Sequence, residues 1–294
     1  MAVATTNLAD APSPGAAHSS AGRLWRKFLA QPIAVASAAI LFVAVASALL
    51  APYLAPYGPT TVDFLNILKP PLTPHHLLGT DDLGRDELSR IIYGARVSLL
   101  VGGVGAFSAV VIGVALGSIA GYLGGWLDTV IMRVVDVQLS FPFILLVLTV
   151  NAVLGFGVRN IIVSLVISGW AMFARLTRGE VLRIRELDYV AAAIASGSSK
   201  SRIVARHVIP NALPPVLVLG TLQVSQFMIA EATVSYLGFG VQPPTPAWGN
   251  MLAGGQMYFY IAPWLMIFPG VSLLVVSLAV NFLGDWLRQV TLQN

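Results

Sequence analysis

The chain has 294 residues, of which 56% are apolar and only 10% charged. Soluble domains carry roughly a quarter charged residues, so this chain lacks the polar surface to coat a water-soluble fold, and lipid is its expected solvent. Its net charge of +4 and pI near 9.6 do not point to nucleic acid, because the basic residues cluster between apolar runs, as in a membrane protein. The absence of cysteine excludes disulfides, thiolate catalysis and cysteine metal sites, and the four histidines show no ligand spacing, His75-His76 reading as a polar loop pair.

Residues 1–22, rich in Ala, Ser, Pro and Thr, are expected to be a disordered tail. Arg23, Arg26 and Lys27 precede an uncharged run from Phe28 to Val62. About twenty apolar residues cross a bilayer, which puts span one from Ile33 to roughly Ala51. The length of the run and of the tail ahead of it disfavours a cleaved signal peptide. Pro52, Pro56 and Pro59 end the span, and residues 52–96 form an external segment of mixed charge. In it, Leu83, Leu88, Ile91, Ile92 and Ala95 share a helix face, with Arg85, Glu87 and Arg90 elsewhere. That pattern predicts an amphipathic helix lying at the membrane interface. Asp81-Asp82 reads as a solvated turn and helix cap rather than a metal site.

Val97 to Leu127 contains no charge and holds span two. Gly113, Gly117, Gly121 and Gly125 recur every four residues, a flat stripe that permits close backbone approach. The stripe suits a moving interface with another span or subunit, or static packing within the chain, and the sequence does not separate them. An inside turn bearing Asp128, Arg133 and Asp136 leads to span three, Val137 to Leu154, and Gly155 to Arg159 turn outside. Span four runs from Asn160 to Phe173 and into a basic helix beyond.

Seven of the seventeen basic residues then fall together: Arg175, Arg178, Arg183, Arg185, Lys200, Arg202 and Arg206. Local chemistry predicts two short helices with a hinge. Asp188 can cap the first, Ala191, Ala192 and Ala193 favour helix, and Gly197 can leave it in a left-handed conformation. Ser198 or Ser199 can cap the second, on which Ile203/His207 and Val204/Val208 stack four apart. Pro210 marks the break before span five, Leu213 to Gly240. Glu231 lies within that span, where an ionisable group is costly unless solvated or paired. It is expected to face a translocation cavity or to pair across a subunit interface. Pro243, Pro244 and Pro246 exclude helix, Trp248 and Tyr258 suit an interface, and span six runs from Trp264 to Leu283 before a short inside tail with Asp285 and Arg288.

The stretch from Asp188 to Asn211 resembles the "EAA" loop of ABC-importer membrane subunits, in which Glu-Ala-Ala is followed by Gly and later by Ile-x-Leu-Pro. Here the triplet is Ala191-Ala192-Ala193, Gly197 follows four residues after its last alanine, and the ending is His207-Val208-Ile209-Pro210. Ala191 stands where the motif has Glu, and His207 where it has Ile. Three more blocks resemble the C-type membrane subunit of dipeptide, oligopeptide and nickel importers: Leu78 to Leu99, Gly124 to Pro142, and Leu237 to Leu252.

The resemblance implies an all-α polytopic protein of six transmembrane helices, with a cytoplasmic coupling loop (175–212) between helices four and five. Residues 23–96 would hold the first helix and the external amphipathic segment, and 97–294 the transporter domain. Candidate coupling residues are Asp188, Tyr189, Ala191, Ala192, Ala193, Gly197, Ser201, Arg202, Arg206, His207 and Pro210. Candidates for the pathway or an interface are Glu231, Gly113, Gly117 and Gly121. Expected partners are a related second permease subunit, two ATPase subunits holding ATP and magnesium, and an extracytoplasmic solute-binding protein. Expected cargo is di- or oligopeptide, with nickel complexes or glutathione as alternatives.

The residues agree with a subunit that has no engine. Its three lysines, Lys27, Lys69 and Lys200, lie in no phosphate-cradling loop, and it has no Gly-x-Ser-x-Gly elbow or His-Glu-x-x-His. A self-powered secondary transporter would need an internal repeat and embedded coupling groups, of which only Glu231 is evident. Six spans put both termini and the basic loop on one side with twelve cations, against five on the other. That bias predicts cytoplasmic termini, and the resemblance implies a bacterial inner-membrane protein.

Overall fold

A computed structural model describes residues 20–292, and among them the regular structure is helical, with long irregular stretches at 55–86 and 237–247 and only two isolated bridges of extended backbone. In lipid every backbone amide must be satisfied within its own segment, which is why the apolar runs become helices. In order these are α1 (Ser20–Leu29), α2 (Pro32–Leu49), α3 (Ala51–Leu54), α4 (Glu87–Leu123), α5 (Gly125–Leu139), α6 (Phe143–Leu154), α7 (Val158–Arg185), α8 (Asp188–Ala195), α9 (Lys200–Ile203), α10 (Ile209–Tyr236), α11 (Trp248–Gln256) and α12 (Trp264–Leu292), with a π-turn at Val204–Val208 joining α9 to α10. Five helical runs are long and apolar enough to cross a membrane, and α5 with α6, bent by 96°, makes a sixth if that pair is one span. Phe42, Phe107 and Trp126 are exposed on the outside, the reverse of a soluble protein.

Several boundaries differ from the sequence reading. Of the expected tail, residues 1–19 lie outside the described residues, and Ser20–Gly22 already belong to α1. The external amphipathic helix is not separate from span two. It is the first turns of the 37-residue α4, which runs across the expected boundary at 96/97. At 1.5 Å per residue α4 is about 55 Å long, well beyond a hydrocarbon core of about 30 Å, so its charged start stands outside the lipid. Glu87 and Arg90 are buried there beneath the 52–86 segment, not turned to water. Asp86 caps α4, accepting from the Ser89 backbone N–H at 2.8 Å and its hydroxyl at 2.7 Å, and His76 Nδ1 lies 3.0 Å away. Asp81 is likewise buried, accepting from the amides of Leu83 and Arg85 and from Arg85 Nε at 2.6 Å. Side-chain bonds of this kind hold an irregular segment in place where no helix or sheet satisfies the backbone.

α4 ends at Gly124, whose φ is +66°, and the expected inside turn at 128–136 is part of α5. The break comes instead at Ser140-Phe141-Pro142, because a residue before proline is pushed out of the helical region. The expected tail after Leu283 is also helical, as α12 continues to Leu292.

The helices close around one core that includes Val101 of α4, Leu165 and Phe173 of α7, and Phe227 and Val234 of α10. Phe143 of α6 stacks on Phe227 with ring centroids 6.0 Å apart. α4 and α7 make the tightest pair. A methyl group on Gly117 would lie 2.5 Å from the Ala174 carbonyl oxygen, and one on Gly121 2.9 Å from Val181 Cβ. Gly113 meets Phe173 and the Trp170 carbonyl in the same seam. The three glycines thus pack inside this chain, and Gly125 lies outside the stripe, opening α5 with φ +62°.

Candidate functional site

After α7, the chain turns at Leu187 into a short hairpin, α8 and α9. Leu187, not Asp188, is the N-cap, and Asp188 is the first helical residue with no side-chain cap bond. Its carboxylate still lies in the first turn, where the helix dipole favours negative charge. Gly197 takes φ +76°, the Gly197 N–H donates to Ile194 O at 2.9 Å and the Ser198 N–H to Ala193 O at 3.1 Å. This pair of bonds is the Schellman closure, which needs a residue at positive φ. Nothing lies within 4 Å of where a Gly197 methyl would go, so backbone conformation alone demands glycine. Ser199 occupies the N-cap of α9 without a cap bond, its hydroxyl lying 3.4 Å from that of Ser201.

The hairpin is fixed through an apolar underside. Val190 of α8, Ile203 of α9 and Val208 of the π-turn are buried against Val181 and Ile184 of α7 and Ala212 of α10, with Ala193 and Tyr122 packed at the edge. Burying a side chain of this size contributes about 1.5–3 kcal/mol. The pairs expected four apart are replaced by a pair five apart, Ile203 and Val208. The cause is the π-turn, where the Ile209 N–H reaches back five residues to Val204 O. Pro210 follows immediately. In a regular α-helix its ring would collide with the carbonyl four residues earlier, and the wider turn relieves that clash. Pro210 therefore does not break the chain from the next span: the helix is continuous from Lys200 to Tyr236.

Among the coupling candidates, Asp188, Tyr189, Ala191, Ala192 and Gly197 are exposed, as are Ser201, Arg202, Arg206 and Pro210. Ala193 and His207 are half-buried, and the rings of Tyr189 and His207 come within 6.3 Å, linking α8 to the π-turn. The outward face of α8 is nearly all apolar: Tyr189, Ala191, Ala192, Ile194 and Ala195.

Three of the seven clustered cations serve the fold instead. Arg178 pairs with Asp128 of α5, its Nη2 2.6 Å from Oδ2, and Arg175 with Asp136. Arg185 Nη1 donates to Gly121 O at 3.0 Å. A signal was available for the first two: Asp128 and Asp136 are the acids nearest the basic cluster on its N-terminal side. Arg202 and Arg206 form no ion pair among the described residues and stay exposed.

Glu231 faces neither a cavity nor a subunit surface. It is fully buried in the chain, Oε2 accepting from Ser98 Oγ of α4 at 3.1 Å and Oε1 from Ser235 Oγ at 2.7 Å. Ser235 Oγ in turn accepts from the Val241 N–H at 3.0 Å. The carboxyl group thus joins α4, α10 and the chain that follows α10, two helices the sequence places far apart. A separate cavity of about 770 Å³ opens near the hairpin, between α7, α10 and the end of α12, lined by Arg175, Glu180, Arg183, Asn211, Pro214 and Arg288 among others.

The hairpin is anchored on one side, exposed on the other and continuous with a long apolar helical run. Comparison with known proteins shows the family. Residues 113–291 match the family described as binding-protein-dependent transport system inner membrane component, and residues 19–71 match the N-terminal TM domain of oligopeptide transport permease C. The glutathione transport system permease protein GsiD of Pectobacterium atrosepticum is 39% identical over 264 residues, 90% of this chain and 88% of the relative. The dipeptide transport system permease protein DppC of Alkalihalophilus pseudofirmus is 38% identical over 268 residues, with the same two shares. Among solved structures, inward-facing conformations of the MetNI methionine ABC transporter align with TM-score 0.57 at 21% identity, covering 69% of this chain and 97% of the matched chain, a likeness of fold. The helical architecture, the absence of a phosphate-binding loop and these matches together make the chain a member of the binding-protein-dependent inner-membrane component family, a permease subunit of an ABC importer whose ATP hydrolysis belongs to separate subunits.

Proposed function

We propose that this permease imports small peptide-like solutes and is driven through the α8–α9 hairpin. Two relatives named above are permeases for a dipeptide and for glutathione, itself a short peptide. In this reading the chain forms the solute path with a second, related permease subunit. Two ATPase subunits hold ATP and magnesium on the cytoplasmic side, and an extracytoplasmic binding protein delivers the solute. The hairpin and both termini face the cytoplasm of a bacterial cell. Asp188, Tyr189, Ala191, Ala192, Ala193, Gly197, Ser201, Arg202, Arg206, His207 and Pro210 make up the handle and its support.

The observation that carries the proposal is mechanical. The exposed face of α8 is rooted by Val190 in the Val181–Val208 cluster, and from α9 a single helical run leads to Tyr236. Force on the hairpin therefore reaches the far end of α10 without crossing a break. The ATPases must bind the hairpin differently in their ATP and ADP states, because equal binding in both shifts no equilibrium.

The test uses the cysteine-free background. Ala192→Cys should cross-link to an ATPase subunit in the purified complex. In cells a membrane-impermeant thiol reagent should reach Ser196→Cys only in inside-out vesicles. Labelling of that position from the outer face of intact cells sinks the proposal. Gly197→Val should cut uptake of a radiolabelled dipeptide about tenfold or more while the chain still assembles and the ATPases still turn over, since a β-branched residue resists positive φ.

A further inference from the structure

Gln226 sits in the membrane-spanning part of α10, exposed, with no hydrogen bond inside the chain. A side-chain amide has two donors and an acceptor oxygen, and leaving them unmet in hydrocarbon is costly. The lipid-exposed faces elsewhere, at Phe42 and Phe107, are apolar. Gln226 is not isolated. Asn211, Pro215, Val218, Leu222, Gln226 and Ile229 recur three or four apart and share one helix face, opposite the buried Phe227 and Glu231.

Two features mark the hairpin end of that face, one turn below Gln226, as wet. Near the hairpin it forms a wall of the 770 Å³ cavity, whose rim holds Arg175, Glu180, Arg183 and Arg288. There Pro214 and Pro215 have no N–H, so the carbonyls of Pro210 and Asn211 have no amide four residues on to accept from. Arg288, which forms no ion pair among the described residues, and carbonyls without their usual amide are met by water, and a dry contact with a neighbouring subunit supplies none.

We infer that this stripe of α10 lines the water-filled solute path and that Gln226 is a solute-contacting residue. Its amide can donate and accept at once, which matches the N–H and C=O of a peptide bond. The inference rests on the transport reading above and adds to it the face and the residue that meet the solute.

The absence of native cysteine makes the test direct. In the transporter reconstituted with its partner subunits, Gln226→Cys and Val218→Cys are treated with a charged methanethiosulfonate reagent, with Phe107→Cys and Phe42→Cys as lipid-facing references. Only a hydrated thiol ionises and reacts, so the stripe cysteines should label about tenfold or more faster than the references. Equal rates at Gln226→Cys and Phe107→Cys overturn the inference, since the face then meets lipid or a dry subunit contact. Trialanine or reduced glutathione should slow labelling at Gln226→Cys. Fast labelling with no protection by either keeps the path and refutes the peptide-like cargo. Gln226→Leu should raise the KM for trialanine uptake about fivefold or more, as expected when a hydrogen bond made in the bound state is lost, whereas a purely structural role would lower kcat and yield together.

Discussion

α7 and α10 invite comparison. Both are 28 residues long, both start near one side of the chain and end near the other, and both pack on α4. Their settings differ. α7 lies in the glycine seam of α4 and is tied by Arg175, Arg178 and Arg185 to α5 and to the end of α4. α10 packs on α4, α7, α11 and α12, but no ion pair among the described residues ties it to them. It holds three prolines in its first turns, follows a π-turn, and leaves Gln226 and Ile229 exposed. The difference locates rigidity and freedom. Close backbone approach and ion pairs make α4–α7 the frame, and under the proposed function α10, fused to the hairpin, is the element that moves against it. α4 meets both helices through small residues, Gly113, Gly117 and Gly121 toward α7 and Gly102, Gly105 and Ser98 toward α10, so the ion pairs of α7 carry the contrast.

The largest expected effect breaks the frame. Gly117→Leu puts a branched side chain where even a methyl meets the Ala174 carbonyl at 2.5 Å. It should destabilise the subunit by about 3 kcal/mol, within the range for overpacked cores, seen as a lower melting temperature of the detergent-solubilised complex. An unchanged melting temperature would mean the seam is loose and the contrast with α10 false.

Next in size is the latch between α4 and α10. Glu231→Ala leaves the Ser98 and Ser235 hydroxyls without their acceptor, for a loss of about 1–3 kcal/mol. Glu231→Gln keeps an acceptor oxygen for one of them and should lose less. Thermal unfolding of both variants orders them, and equal losses would show that the contacts, not the volume, are irrelevant to stability. Smaller still is Arg178→Ala, which removes a part-exposed pair with Asp128 and should lower stability by about 1 kcal/mol or less. A double-mutant cycle with Asp128→Ala measures the coupling. The smallest effect on global stability is that of Gly197→Ala, which should leave global unfolding unmoved and cost about 1–2 kcal/mol only in the local opening of the hairpin, through φ. Faster amide exchange confined to α8 and α9 would confirm that the hairpin opens by itself, and exchange spreading along α7 would deny it.

The legible parts of the fold were those set by local chemistry. Long uncharged runs read as spans, proline clusters as external turns, and Gly197 as a left-handed closure, because hydropathy and backbone sterics act within a few residues. The misreadings share a cause. Glu87 and Arg90 read as a wet polar face because their burial comes from the 52–86 segment folding over them. Pro210 read as a break because a π-turn is invisible in side-chain spacing. Arg175, Arg178 and Arg185 read as part of a docking loop because their partners lie on α5 and at the end of α4. Gln226 passed unremarked as one polar residue in a greasy span, since only a folded neighbourhood distinguishes an amide with partners from one without.

Sequence alone determined the solvent, the approximate spans and the left-handed closure at Gly197, all consequences of transfer free energy and of torsional limits that each residue imposes on itself. Tertiary structure alone decided which charges are spent on ion pairs inside the chain, where the glycine stripe packs, and which residues of α10 stay exposed. Those outcomes depend on groups far apart in the chain meeting at bonding distance, and spacing along one helix carries no record of what the next helix will present to it.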